Sequence, residues 1–244
     1  MIELQEIRGC LFDIGETLLI PSEEFERVIQ RILGTKTCVY HLTDIDKDIQ
    51  SCLLDSPLKK NPDVWTSDTW IDDELVKLYT LALSLKNQNN DIVCIAQNLV
   101  QYMKRPEAWR VVDGAYELLD QLRASGKVLG VLSNWNSNLE SILENKKMRD
   151  YFDVVVCSAQ VRSAKPSHTA FRIALDRLGR SVRALKAEQT VMIGDSYVHD
   201  IKPCLHLGMK GIQMGSQFKV HVAGEYFEVS SLPMINRLLG SQHR

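Results

Sequence analysis

The chain has 244 residues, 45% hydrophobic and 25% charged, a composition that suits a folded globular protein and excludes wholesale disorder. At roughly 150 residues per domain, the length fits one large domain or a core carrying a substantial insertion. Lys plus Arg (29) nearly balances Asp plus Glu (31), a net charge of −2, so no global basic field exists to hold nucleic acid or an anionic membrane.

The opening residues carry Glu3, Glu6 and Arg8, so they do not read as a signal peptide, and no apolar run is long enough to span a membrane. Cys10, Cys38, Cys52, Cys94, Cys157 and Cys204 are scattered without a CxxC pair, which reads as unpaired thiols in a reducing cytoplasm. The six histidines are equally dispersed and do not suggest a zinc site.

Residues 7–13 read as a short buried strand ending in an acid. Helical periodicity follows. Phe25, Val28, Ile29, Ile32 and Leu33 form one stripe, with Ser22 as its expected N-cap and Gly34 as its stop. Ile45, Ile49, Cys52 and Leu53 form a second after the candidate cap Thr43. Trp70, Ile71, Leu75, Leu78, Tyr79, Ala82 and Leu83 form a third. Ile92, Val93, Ala96, Leu99, Val100 and Met103 form a fourth. Between the second and third, residues 56–70 are expected to be an irregular, substrate-facing loop. Lys59 and Asn61 are its candidate substrate contacts, and Trp65 and Trp70 read as packing residues.

From Pro106 the pattern changes. A helix over 114–125 ends at Gly126, and the runs 128–133, 153–157, 190–194 and 211–214 then alternate with helical segments. This is βαβ organisation. The expected fold is α/β: a doubly wound parallel sheet, Rossmann-like, with an inserted α-helical cap. Residues 1–20 and 105–244 are assigned to the core and 21–104 to the cap. None of the helical stripes exceeds what such a fold needs to bury, so nothing assigns an oligomeric state.

Ligands of open parallel sheets bind beyond the carboxyl ends of the strands. The ends here carry Asp13-Ile14-Gly15-Glu16-Thr17, then Ser133-Asn134, then Lys165 in the loop after the third strand, then Gly194-Asp195-Ser196 with Asp200 a helical turn later. Each residue alone has a plain structural reading as a cap, turn residue or surface charge. Their order, each at its own strand end, is the specific signal.

In that order they resemble the motif set of the haloacid-dehalogenase-like hydrolase superfamily, in the subgroup with a helical cap after the first motif. The resemblance implies a magnesium-dependent phosphatase working through a phosphorylated aspartate, with a small-molecule phosphate ester as substrate. It assigns Asp13, the Gly15 carbonyl, Asp195 and Asp200 to Mg²⁺, and Asp13 also as nucleophile. Ser133 and Asn134 would donate to phosphoryl oxygens, with Lys165 balancing charge. Chemistry agrees with the metal: three carboxylates and a phosphate dianion carry far more negative charge than one lysine offsets.

One position departs from the family pattern. Its phosphatases carry a second aspartate two residues after the nucleophile, as the acid/base, and here that residue is Gly15. The loss predicts weak hydrolysis of alkyl phosphates, whose departing oxygen needs a proton. Glu16 is the nearest possible surrogate, although its place in an extended segment turns it to the other face. A second reading is therefore a catalytically impaired phosphate- or metabolite-binding protein acting through partners. Haloacid dehalogenase chemistry would tolerate Gly15, but that branch lacks the acidic fourth motif.

Overall fold

The computed structural model describes residues 6–24, 27–28, 42–85, 91–182, 185–216, 219–220 and 226–239. Strands β1 (Gly9–Phe12), β2 (Leu19–Pro21), β3 (Trp109–Val111), β4 (Val128–Ser133), β5 (Val154–Cys157), β6 (Thr190–Gly194), β7 (Lys210–Met214), β8 (Lys219–Val220) and β9 (Tyr226–Val229) form two sheets. The main sheet has the order β5-β4-β1-β6-β7-β9-β8 and is parallel except for β8. From β1 the chain builds outward through β4 to β5, then returns to β6 on the other side. Strand order therefore reverses between β1 and β6, where a crevice opens beyond the strand ends.

The central strands are apolar throughout because both faces are covered. On one face Cys10, Phe12, Leu129, Val131 and Ile193 pack with α5 (Ala115–Ala124), α6 (Leu139–Asn145) and α10 (Leu232–Leu239). On the other, Leu11, Leu132 and Met192 pack against Phe171, Ala174 and Leu178 of α8 (His168–Ser181). The alternation of Cys10, Leu11 and Phe12 between the two layers is the period of two expected of a strand.

Between β2 and β3 lie α1 (Leu42–Asp55), α2 (Pro57–Lys60), α3 (Asp68–Ser84) and α4 (Ile92–Met103). They share a core of their own around Tyr79, Leu83, Ala96, Leu99 and Val100. These helices depart from the sequence expectation in several places. Residues 56–70 are not an irregular loop but α2 followed by a 3₁₀ turn over Pro62–Thr66, each started by a proline whose missing N–H costs nothing there. Thr43 falls inside α1, which begins at Leu42, rather than capping it. Trp70 is 55% exposed: Ile71, Leu75, Leu78 and Ala82 form the buried stripe, and Trp70 stands a hundred degrees or so from Ile71 around the helix. Val93 likewise faces outward. Of the stripe expected after Ser22, Phe25, Ile29, Ile32, Leu33 and Gly34 lie outside the described residues.

The antiparallel ribbon of β2 and β3, unexpected from the sequence, joins the chain leaving the main sheet to the chain returning to it, with Leu19 level with Val111. Ser22 strengthens the junction, its hydroxyl donating to the Glu107 carbonyl at 2.6 Å. Strand β9, between β7 and the edge strand β8, and α10 were also not foreseen. Among the described residues, no helix is long and apolar enough to cross a membrane. The five described cysteines are unpaired, and Cys38 lies outside that set.

Candidate active site

Register brings the strand ends together. Phe12 stands level with Val131 of β4 and Ile193 of β6, so Asp13, Ser133 and Asp195 emerge at one edge of the sheet. Beyond β1 the chain curls at once, the Leu18 and Leu19 amides both donating to the Ile14 carbonyl, at 2.9 and 2.8 Å. Glu16 takes a positive φ of 56° in that curl.

Asp13 is held by three donors on one oxygen. The Ile14 amide, the Ser133 hydroxyl and the Lys165 ammonium each lie 2.8 Å from Oδ1. The same ammonium is 2.6 Å from Asp200 Oδ1, while the Ser196 amide donates to Asp200 Oδ2 at 2.9 Å. Lys165 and Asp200 are both essentially inaccessible to solvent. Asp200 reaches this position through a single π-helical turn over Tyr197–Ile201, a wider turn than the α-helix expected here. It also needs Gly194: a Cβ at that position would stand 2.5 Å from the Asp200 carboxyl carbon, inside any tolerable contact.

One cation thus faces three acids. Carboxylate oxygens of Asp13, Asp195 and Asp200 all lie within 4.8 Å of one another. Burial and the Asp13 charge push Asp195 up to about 6. Burial, with the Asp13 and Asp195 charges, also raises Asp200 against the pull of Lys165. Burial acts to lower Lys165, but Asp13 and Asp200 outweigh it and hold the ammonium up to about 12. Raised carboxylates around a firmly charged lysine mark an excess of negative charge. An all-oxygen donor set with such an excess fits a hard divalent cation.

Asp13 and Asp195 border a cavity of about 260 Å³, a little below the roughly 300–1,000 Å³ of small-molecule pockets. Ser133, Asn134, Lys165, Ser196 and His199 also line its core side, and burial, with Lys165 and Lys59 nearby, lowers the His199 imidazole. The helical segment lines the rest with Leu58, Lys59, Trp65, Leu75 and Met103. Trp109 and Trp135 close the gap between the two sides, their rings 4.6 Å apart between centroids.

A family model for haloacid dehalogenase-like hydrolases matches residues 7–208, nearly the whole of this arrangement. The chain belongs to that family. Among relatives, it is 32% identical over 140 residues to haloacid dehalogenase-like hydrolase domain-containing protein 3 of Xenopus laevis, covering 57% of this chain and 54% of that protein. The match therefore spans about half the length of that relative. It is 29% identical over 209 residues to a glyceraldehyde 3-phosphate phosphatase of Methanocaldococcus jannaschii, covering 83% of this chain and 82% of that one. The magnesium-bound structure of Bacillus subtilis YfnB shares the fold at a TM-score of 0.73 and 19% identity, over 96% of this chain and 99% of that one.

Of the residues singled out from sequence, Asp13, Gly15, Ser133, Asn134, Lys165, Asp195 and Lys59 line the cavity, with Asp200 buried beneath. Asn134 engages the lysine loop. Its side-chain amide donates to the Lys165 carbonyl at 3.0 Å, and its oxygen accepts from the Lys165 amide at 2.8 Å, so the group clamps the lysine loop. Asn61 is not at the cavity; its side chain accepts from the Asp63 amide and caps the 3₁₀ turn. Glu16 is exposed and not among the lining residues. Sequence reasoning missed Trp109, Trp135, Met103 and His199. Only His199, inside the fourth motif, carried any signal.

Proposed function

We propose that the chain is a magnesium-dependent phosphohydrolase that cleaves a small phosphorylated metabolite through a phosphorylated Asp13. The observation that carries this reading is the grip on Asp13: three donors on Oδ1 orient the carboxylate at the mouth of a metabolite-sized cavity, beside two more acids. A carboxylate so held can attack phosphorus in line, with the Ser133 hydroxyl and Lys165 ammonium placed to stabilise the phosphoryl oxygens. Asn134 acts indirectly, fixing the backbone that presents Lys165.

Asp13, Asp195 and the Gly15 carbonyl would hold Mg²⁺, with Asp200 supporting them through Lys165 and the Ser196 amide. The ion would offset the negative charge that the acids and phosphate bring together. The helical segment over 21–104 acts as the cap, closing the cavity from above. Five unpaired thiols fit a reducing compartment such as the cytoplasm. Gly15 motivates a second reading, a phosphate-binding protein with vestigial turnover, whereas the acidic cluster argues against haloacid chemistry.

The test is hydrolysis of phenyl phosphate with Mg²⁺ or chelator, beside Asp13→Asn. Turnover should require both the metal and Asp13. Activity that survives Asp13→Asn would sink the phospho-aspartate route, and Mg²⁺-dependent phosphate binding without turnover of any ester would establish the second reading.

A further inference from the structure

The cavity is polar on one side and apolar on the other, and the apolar side offers little to a polyhydroxylated substrate. Two of the three indole N–H groups lining it are already used: Trp65 Nε1 donates to the Leu58 carbonyl at 2.8 Å and Trp109 Nε1 to the Met103 carbonyl at 2.7 Å. What these side chains present is ring and methylene surface, joined by Leu58, Leu75 and the tilted Trp135 ring. Concave aromatic walls of this kind favour a flat apolar group.

A second, independent observation concerns Gly15. It borders the cavity next to Asp13 and has no side chain to supply a proton, and its neighbour is a ring: a Cβ built at Gly15 would meet Trp135 Cζ3 at 3.5 Å. The exposed cation Lys59 also lines the cavity, on the same side as Leu58 and Trp65. This corner is arranged to accept an oxygen that departs as an anion.

From these features we infer that the substrate is an aryl phosphate, the monoester of an aromatic alcohol, with its ring against Trp65, Trp109 and Trp135. The inference rests on the phosphohydrolase reading above. An Asp13 carboxylate oxygen forms the new bond to phosphorus as the bond from phosphorus to the aryl oxygen breaks. The electron pair stays on that oxygen, which leaves as an aryloxide beside Lys59 and later takes a proton from water. Water then attacks phosphorus, the bond to Asp13 breaks, and phosphate departs with the water's proton shared between it and solvent. A phenol is a far stronger acid than water or an aliphatic alcohol, so the unassisted first step selects the aryl ester.

Three esters and two inert mimics separate the components. Phenyl phosphate has both ring and good leaving group, benzyl phosphate has the ring alone, and methyl phosphate has neither. With Mg²⁺-loaded protein, kcat/KM for phenyl phosphate, which reports the step that expels the leaving group, should exceed that for benzyl phosphate by about 10²-fold or more, the range that general acid catalysis supplies when present. Phenylphosphonate, which cannot be hydrolysed, should bind at least about tenfold more tightly than methylphosphonate by calorimetry, from ring burial alone. Trp109→Leu and, as an independent variant in the helical segment, Trp65→Leu should each narrow that binding ratio. Equal affinity for the two phosphonates, or equal kcat/KM for phenyl and benzyl phosphate, overturns the aryl assignment; Asp13-dependent turnover in those assays leaves the phosphohydrolase reading standing. Absence of both Asp13-dependent turnover and Mg²⁺-dependent phosphonate binding overturns the two together.

Discussion

Replacing Gly15 by aspartate restores a proton-transfer group next to the proposed nucleophile. The backbone permits it: Gly15 is not among the glycines with positive φ, and the new Cβ would make an ordinary 3.5 Å contact with Trp135. General acid–base groups contribute about 10²–10⁴-fold, or roughly 3–5 kcal/mol. Two features of the site pull the expected gain to the low end. Trp135 is only 8% exposed and packed at a tilt against Trp109, so the carboxyl must find room beside an indole that cannot easily move. A fourth acid also joins three that already outnumber Lys165, which makes the gain depend on saturating Mg²⁺. We therefore expect kcat/KM for benzyl or methyl phosphate to rise about 10²-fold in Gly15→Asp, and that for phenyl phosphate to change far less. Parallel initial rates at saturating Mg²⁺, with thermal unfolding as a check on integrity, measure both. No gain on the alkyl esters in a folded variant, or an equal gain on all esters, would refute the reasoning, because acid catalysis would then come from elsewhere or not limit the rate.

Other consequences can be checked with the same protein. Gly194→Ala should displace Asp200 and cost about 1–3 kcal/mol of stability, with loss of any Mg²⁺-induced rise in Tm, because the added carbon stands 2.8 Å from the Asp200 Cβ; an unchanged Mg²⁺ response would show that Asp200 does not support the metal. Without metal, burial raises Asp195 and Asp200 above the ordinary carboxylate value of 3.8, so the folded state keeps protons that the unfolded chain has released. Stability in chelator should then fall as pH rises from about 4 towards 7, and Mg²⁺ should flatten that slope; identical Tm-versus-pH curves with and without Mg²⁺ would exclude a cation among these acids.

The sheet was legible because buried parallel strands are apolar runs, and the one-helix spacing between VLGVLS, DVVVC and TVMIG gives their connection. The acids and lysine were legible for the same reason: a strand's end fixes where the next residue emerges, without knowledge of distant contacts. Asn134 shows the limit. Its position was correct, but which partner its amide would take depended on a loop 31 residues away. The three indoles of the cavity show it more strongly. Trp65, Trp109 and Trp135 lie on separate elements, and only the seating of the helical segment on the sheet makes them neighbours. Trp70, one residue from a buried isoleucine, was placed inward where helical geometry turns it out. Phe227 and Val229 of β9 alternate inward as a half-covered strand should, and Leu232, Ile235 and Leu239 mark α10, signals too short to separate from a tail.

The ribbon joining Leu19–Pro21 to Trp109–Val111 makes the whole helical segment topologically the loop of a hairpin. Its two stems leave the main sheet side by side. Closing so long a loop costs about 3 kcal/mol more than closing a two-residue turn, by chain entropy alone. The helices offset that cost within themselves, through the core around Tyr79, Ala96 and Leu99, and ask little of the sheet below. A molecule built in this way can exchange what lies above the cavity while the ground beneath Asp13 stays as it is.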